Sequence, residues 1–236
     1  MISAIVISFN DHKYLKDCIA SVSFANEILI VGKIEQTVLS EIQDSSPIQY
    51  VESESVDVYQ MTQDARKKAS HKWIITLEAN RSISKSLSQE IIEIATNAPA
   101  SGVYNVKTRF NFMGKWMQYS GYRTSMSPLL YPTKVTDFKL NTNTLKHSID
   151  EIYLDFDSYN ERLTKKAKQR ASELFARQKR PHFFHLLCKP LWKLKVNFVF
   201  KLGFLDGKEG FVLAYLKAFE EFKTYLFLWL MYRNLE

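Results

Sequence analysis

The sequence predicts an α/β fold in which a mostly parallel sheet is flanked by helices, and three observations carry this prediction. Short apolar runs alternate with helically spaced stretches through residues 2–110, and this alternation implies crossover units with parallel strands. The first apolar run, residues 2–8, is typical of a strand buried on both faces of a sheet. Hydrophobic residues make up 46% of the 236 residues, which is enough for a large core.

Each element of this N-terminal region has its own signal. The first helix keeps three- and four-residue apolar spacing, and Asn10 or Asp11 can cap it. Short helices are predicted near residues 38–42 and 58–70. Ser86 with Gln89 forms a capping box for the next helix, which ends before Pro99. The predicted strands are residues 2–8, 28–31, 48–51, 73–77 and 103–110.

The C-terminal half has a different pattern. Residues 111–143 are irregular and rich in aromatics, with one strand predicted near 129–131. Helices are predicted at 155–178 and 204–232. We therefore expect a sheet domain over residues 1–145 and a basic, aromatic helical region over 146–236. The uncharged apolar run at 224–232 is far shorter than the roughly 20 residues that span a bilayer.

Positive charge is concentrated in one segment. Residues 158–201 contain twelve Lys or Arg and two acids, within a chain of net charge +7. Aromatic residues interleave with these charges, which favours an anionic membrane surface as partner. Nucleic acid is the alternative, but no nucleic-acid motif is present. The 204–232 helix is also a candidate homodimer face. Two distant cysteines, Cys18 and Cys188, favour a reducing compartment, so we expect a cytoplasmic, peripheral membrane protein.

Four stretches resemble the family 2 glycosyltransferases, in particular the subgroup that adds sugars to the lipopolysaccharide core. They are IVISFND at 5–11 continuing to 31, WIITLEAN at 73–80, FNFMGKW at 110–116 with GY at 121–122, and GFLDG at 203–207 with GF at 210–211. The resemblance implies a GT-A-like nucleotide-sugar-binding fold. It also implies inverting transfer of a sugar to a lipid-linked or lipopolysaccharide-like acceptor.

The resemblance implies a metal site that this chain alters. The family holds a divalent cation with two carboxylates one residue apart, whereas here the turn reads Glu78-Ala79-Asn80. Glu78 and Asn80 are therefore candidate ligands for Mg²⁺ or Mn²⁺, and the alternative is a turn that has lost its ion. In a third interpretation Arg81 supplies the positive charge to the diphosphate, so that donor binding is independent of metal.

Further site residues follow from the strand ends and from the resemblance. In parallel sheets ligands bind beyond the carboxyl ends of the strands, which directs attention to residues 8–11, 32–33 and 78–81. The candidate donor-binding residues are Ser8, Asn10, Asp11, Lys33, Gln63 and Arg81. The candidates on the acceptor side are Trp116, Tyr122 and Arg123. The candidate general bases are Asp137, Asp150 and Glu151.

Two functions are compatible with these residues. The first is an active glycosyltransferase. The second is a non-catalytic relative that keeps the fold and the membrane contact but has lost the ion-binding turn, and that acts as an accessory protein.

Overall fold

The computed structural model describes residues 1–8, 12–32, 34, 38, 40, 48–53, 58–99, 101–135, 137–139 and 142–235. The chain forms two compact units. The first comprises Met1–Arg109 and Thr124–Ile152, and the second comprises Phe110–Arg123 and Tyr153–Glu236. The short helix predicted near 38–42 falls largely outside the described residues.

The first unit is built on a mixed sheet. Its strands are β1 (Ile2–Ser8), β2 (Glu27–Gly32), β3 (Ile48–Val51), β4 (Trp73–Glu78), β5 (Arg81–Ser82), β6 (Val103–Phe112), β8 (Met126–Pro132) and β9 (Thr142–Tyr153), with β7 (Lys115–Met117) in the second unit. The strand order is β3-β2-β1-β4-β8-β6-β9-β5. Pairing is parallel from β3 to β4 and antiparallel where β8 joins β4 and β6.

Helices cover both faces of this sheet. They are α1 (His12–Ser21), α2 (Val58–Lys68) and α3 (Lys85–Asn97). Successive side chains of a strand point to opposite faces, so Ala4 and Val6 pack in one core cluster while Ile5 and Ile7 pack in another. The predicted α/β class is confirmed, and its parallel strands with helices on both faces match the GT-A-like expectation.

The start of α3 differs from its sequence-based prediction. Ser84 is the cap, and its hydroxyl accepts a hydrogen bond from the Leu87 amide at 3.3 Å. The predicted cap, Ser86, lies within the first turn instead. Ile83 is buried, which anchors the chain just before Ser84. The predicted end before Pro99 is confirmed, because α3 stops at Asn97.

The second unit is mainly helical. It contains α4 (Phe156–Ala176), α5 (Phe183–Lys195) and α6 (Gly207–Tyr232), with a π-helical turn at Val196–Phe200 and a 3-10 turn at Gly203–Asp206. Asp155 caps α4 by accepting from the Ser158 amide at 2.8 Å. In the same unit β7 pairs with residues 110–112 of β6. Among the described residues, no helix combines the length and apolar character that a bilayer span requires.

Candidate functional site

The tips of β1, β2 and β4 lie side by side at one edge of the sheet. Ser8 is opposite Gly32 in the β1–β2 pair, and Ile7 is opposite Glu78 in the β1–β4 pair. The Ala79 amide donates to the Ile7 carbonyl at 2.9 Å, which extends this ladder past the end of β4. The expectation that these strand ends meet at one edge is confirmed. Of the donor-side candidates, Asn10, Asp11 and Lys33 lie outside the described residues.

Gly32 fixes the tip of β2 against β1. Its φ of +128° is a conformation that side-chain-bearing residues rarely adopt, and a Cβ there would lie 2.0 Å from the Ser8 carbonyl oxygen. The Tyr50 hydroxyl donates to the Gly32 carbonyl at 2.5 Å. Close approach of the two backbones therefore requires glycine at this position.

Two buried polar side chains at this edge each have an atom without a hydrogen-bond partner among the described residues. Ser8 is fully buried and Asn80 is 5% exposed, and the unpaired atoms are Ser8 Oγ and Asn80 Nδ2. A buried polar atom left unpaired costs about 1–3 kcal/mol, and such atoms in folded proteins call for an explanation. Groups that a ligand completes provide one.

Arg81 lies between two carboxylates at the same edge. Its Nη2 is 3.0 Å from Glu151 Oε2 and 3.7 Å from Glu78 Oε1, while Nη1 is 3.4 Å from Ser127 Oγ. The side chains of Arg81, Glu78 and Glu151 are 16%, 17% and 12% exposed. This position follows from β5, in which Arg81 pairs with Glu151 of β9. Because these groups are largely removed from water, their electrostatic interactions are stronger than those of surface ion pairs.

The donor set at this turn fits a divalent cation poorly. Glu78 supplies one carboxylate and Asn80 one neutral amide, whereas hard cations favour several oxygen ligands with compensating charge. The carboxylate of Glu78 already faces the Arg81 guanidinium at 3.7 Å, so a cation placed there would compete with this contact. Within the described part of the chain, no three His, Cys, Asp or Glu side chains converge into a metal-binding group.

Cys18 contacts the turn at residues 78–80, and the sequence did not predict this contact. Its thiol is buried and lies 3.7 Å from the Glu78 carbonyl oxygen. Burial raises the pKa of Cys18 to about 12, although the Arg81 charge acts in the opposite direction. Because thiolate is the reactive form, this cysteine is a packing residue of the site and no nucleophile.

The three candidate bases have different surroundings. Asp150 receives two hydrogen bonds from Arg109, at 2.7 and 2.8 Å, and these raise the pKa of Arg109. Glu151 contacts Arg81. Asp137 is exposed and accepts from the Lys139 amide at 2.8 Å. Of the three acids, the structure thus brings Glu151 to the Arg81 cluster.

Gln63, the remaining donor-side candidate, lies in α2. Its Oε1 accepts from Arg66 Nη1 at 3.3 Å. Arg66 in turn donates to the carbonyls of Thr133 and Val135, at 2.9 and 2.6 Å. In this arrangement Gln63 helps to orient Arg66.

The acceptor-side candidates all belong to the second unit. Trp116 lies in β7 and is 43% exposed, and Arg123 is also exposed. Tyr122 stacks on Phe110 with ring centres 4.1 Å apart and planes 8° from parallel. Trp116 is opposite Asn111 in the β6–β7 pair, whereas Phe110 is opposite Met117, so Trp116 and Phe110 point to opposite sides of these strands.

Asp206 holds the turn at residues 118–120, a role that the sequence pattern did not reveal. The side chain is buried, and its two oxygens accept from the Gln118 and Tyr119 amides at 3.1 and 2.9 Å. Close packing of the flanking 3-10 turn requires glycine, since a Cβ on Gly210 would lie 2.0 Å from the Gly203 carbonyl oxygen. The GFLDG stretch therefore shapes residues 118–119.

Lys217 of α6 also contacts this turn. Its Nζ donates to the Ser120 carbonyl at 3.3 Å and lies 4.1 Å from the centre of the Tyr122 ring. Burial is the main cause that lowers the pKa of Lys217 to about 7. The nearby positive charges of Lys201, Lys166 and Lys193 lower this pKa further, whereas the negative charge of Glu220 raises it.

Comparison with known proteins gives distant structural likenesses. No protein-family model matches the chain. S. aureus TarS 1–349 in complex with UDP shares 11% identity over 99% of this chain and 91% of that chain, with a TM-score of 0.47. The UDP-GlcNAc complex of TarS gives 11% identity, 99% and 92% coverage and a TM-score of 0.47. The 4-diphosphocytidyl-2C-methyl-D-erythritol synthase of Anaerococcus prevotii shares 14% identity over 66% of this chain and 91% of that chain, with a TM-score of 0.42. With TM-scores this low, the likenesses assign no activity by themselves.

Proposed function

We propose that this chain is an inverting glycosyltransferase that moves a sugar from a nucleotide-sugar donor to a lipid-linked or lipopolysaccharide-like acceptor. One observation carries the proposal. Arg81, Asn80 and Ser8 lie together at the carboxyl edge of the parallel strands, with Ser8 Oγ, Asn80 Nδ2 and Arg81 Nε buried and unpaired among the described residues. This is the edge at which α/β sheets bind their ligands.

The proposed chemistry assigns the leaving group to Arg81. Negative charge grows on the nucleoside diphosphate as its bond to the anomeric carbon breaks, and a preorganised guanidinium stabilises that charge. Glu151 and Glu78 hold Arg81 Nη2, which fixes the orientation of the guanidinium plane. Asn80 and Ser8 then donate to diphosphate oxygens.

A single inverting displacement also needs a base for the acceptor hydroxyl. Adjacent residues of a strand point to opposite faces, so Asp150 and Glu151 do not share a side of β9. Glu151 is on the side of Arg81, and we assign it as the base. It takes the hydroxyl proton, the acceptor oxygen bonds to the anomeric carbon, and the electron pair of the broken bond leaves with the diphosphate. Asp150 and Asp137 are the alternatives.

Donor binding in this proposal is independent of metal, because Arg81 provides the charge that a cation otherwise supplies. The test is thermal shift of the purified chain with UDP and a panel of nucleotide sugars, in EDTA and in Mn²⁺. Equal stabilisation by at least one nucleotide in both buffers supports the proposal. Stabilisation that disappears with EDTA and returns with Mn²⁺ would show that Glu78 and Asn80 hold an ion instead.

An acceptor that is linked to a lipid lies at a membrane surface, so an enzyme that acts on it must reach that surface. We propose a peripheral position on the cytoplasmic face of the membrane, with residues 146–236 as the docking region. The concentration of positive charge at 158–201 supports this position, since anionic lipids attract such segments. A homodimer through α6 is the alternative use of this region, and sedimentation of the purified chain distinguishes the two.

A second candidate function is an accessory protein without catalysis. It is favoured by the ion pairs of the acids at the site, because Glu78 and Glu151 face Arg81 while Asp150 faces Arg109. In this case no nucleotide sugar shifts the melting temperature in either buffer.

A further inference from the structure

Helix α5 carries a large apolar surface that the described residues leave open to solvent. None of its 13 residues is buried. Leu187, Leu191 and Trp192 are 54%, 59% and 59% exposed, and Phe183 at the start of the helix is 77% exposed. Contiguous exposed apolar surface of this kind marks a contact site for a partner or a membrane.

An apolar groove runs between α5 and α6. It encloses about 310 Å³ and is lined on the α5 side by four leucines and Pro190, and on the α6 side by Ala218 and three aromatic residues that include Tyr215 and Phe219. The Tyr215 hydroxyl is the one side-chain polar group in this lining. A groove of this composition fits an aliphatic chain and offers little to a polar ligand.

Positive charge surrounds this apolar face. Residues 174–205 contain seven Lys or Arg and no Asp or Glu. Lys195 Nζ lies 6.0 Å from the ring centres of both Trp192 and Phe200, which are 59% and 62% exposed. Basic side chains next to exposed aromatics are the pattern of helices that lie in the interface of an anionic bilayer.

Charge also argues against the other occupants. A second copy on this face would place the same basic segment on both sides of the contact, since a two-fold interface repeats one surface, and like charges oppose such contacts. Nucleic acid would use the charges but leave the leucine groove in water.

We propose that α5 docks on an anionic phospholipid bilayer and that the α5–α6 groove receives one acyl chain of a lipid in that surface. This inference rests on the membrane position proposed above and is independent of the sugar-transfer chemistry. The phosphates of neighbouring lipids would then face Lys195, whereas Lys189 and Lys193 contact Tyr225 and Glu221 of α6.

The first experiment is co-sedimentation of the full chain with phosphatidylcholine vesicles, with and without phosphatidylglycerol. We expect binding to require phosphatidylglycerol, and Leu191→Asp to weaken it about ten-fold or more through loss of apolar burial. Ile92→Asp is the matched control, since Ile92 is an exposed apolar residue of α3 outside this surface, and it should leave binding unchanged. Equal binding to neutral vesicles, or equal loss in both variants, would overturn the docking surface.

The second experiment tests the groove. Trp192 reports on its surroundings by fluorescence, with Trp192→Phe as the background from the other tryptophans. Vesicles with brominated acyl chains should quench the Trp192 emission, and Ala218→Trp, which fills the groove, should weaken vesicle binding. Since that variant can fail to fold, Leu187→Ser at the exposed rim provides a second test. Unquenched Trp192 in bound protein would refute insertion of the α5 face, and vesicle binding that is unchanged in both Ala218→Trp and Leu187→Ser would refute acyl-chain entry.

Two outcomes separate this inference from the proposed function. A chain that dimerises, does not bind vesicles and becomes monomeric in Leu191→Asp has a second copy on this face, which refutes the lipid. Nucleotide-induced thermal shift measured without lipid should be the same in wild type and Leu191→Asp, because the strand tips belong to the first unit. Vesicle binding without any nucleotide shift would refute the sugar-transfer proposal alone.

Discussion

Replacing Arg81 by methionine should destabilise the protein strongly, and Arg109 offers a matched comparison. Arg81→Met keeps an apolar stem but removes the charge between Glu78 and Glu151. Arg109→Met removes a charge with shorter contacts, at 2.7 and 2.8 Å from Asp150. The Arg109 side chain is 56% exposed, however, whereas that of Arg81 is 16% exposed. Burial, and not contact distance, should decide which loss costs more.

The expected magnitudes follow from this difference in burial. Removing one partner of a buried ion pair costs about 3–5 kcal/mol, and because the Arg81 cluster retains some exposure we expect about 3 kcal/mol. An exposed pair contributes roughly 0–1 kcal/mol, so we expect less than about 1 kcal/mol for Arg109→Met. Equilibrium urea unfolding of both variants at neutral pH and low salt measures these free energies. Equal losses, or a larger loss in Arg109→Met, would refute the reasoning.

Three further predictions concern other residues of the two units. Ser8→Ala removes a buried hydroxyl without a partner among the described residues. The free energy of unfolding should therefore stay unchanged or rise by up to about 1 kcal/mol, while the nucleotide affinity measured by calorimetry falls. A clear loss of stability would contradict the assignment. Burial lowers the pKa of Lys217 to about 7 from 10.5, so the unfolded chain binds the extra proton between these values and stability should rise with pH across that window. Lys217→Met should lack this rise. It should be more stable than wild type by roughly 2 kcal/mol near pH 6 and by much less near pH 10. Parallel pH profiles of the two proteins in thermal melts would contradict this prediction. Asp206→Asn replaces one acceptor of the turn at residues 118–119 by a donor, so the free energy of unfolding measured in urea should fall by about 1–3 kcal/mol. An unchanged urea midpoint would show that the turn forms without the Asp206 carboxylate.

The sequence predicts those parts of the fold that local pattern determines. The strands at β1 and β4 are continuous apolar runs, and parallel strands end at one edge of a sheet, so the placement of Ser8 and Glu78 at the same edge follows from the pattern. The pairing of β1 with β4 does not follow from it. The capping serine of α3 did not follow, because Ser84 and Ser86 are both compatible with a helix start. Burial of Ile83, a tertiary feature, favours the earlier position.

The ion pairs of the site could not be predicted for a related reason. Arg81 and Glu151 are 70 residues apart and meet through β5, a strand of two residues that pairs with β9. A strand this short has no periodicity to detect. Helix α5 was also missed, because Pro190 lies within it and a proline inside a helical pattern normally ends the helix.

The most direct test of the central claim is hydrogen–deuterium exchange with a nucleotide that stabilises the chain, in EDTA. Our account predicts slower exchange in peptides that cover residues 1–8 and 73–82, where the tips of β1 and β4 carry Ser8, Asn80 and Arg81. The competing binding region is a cavity of about 480 Å³ at the start of β4, whose lining includes His71, Lys72 and Lys134. Protection in peptides covering residues 69–72 and 132–134, with none at the tips, would contradict the account.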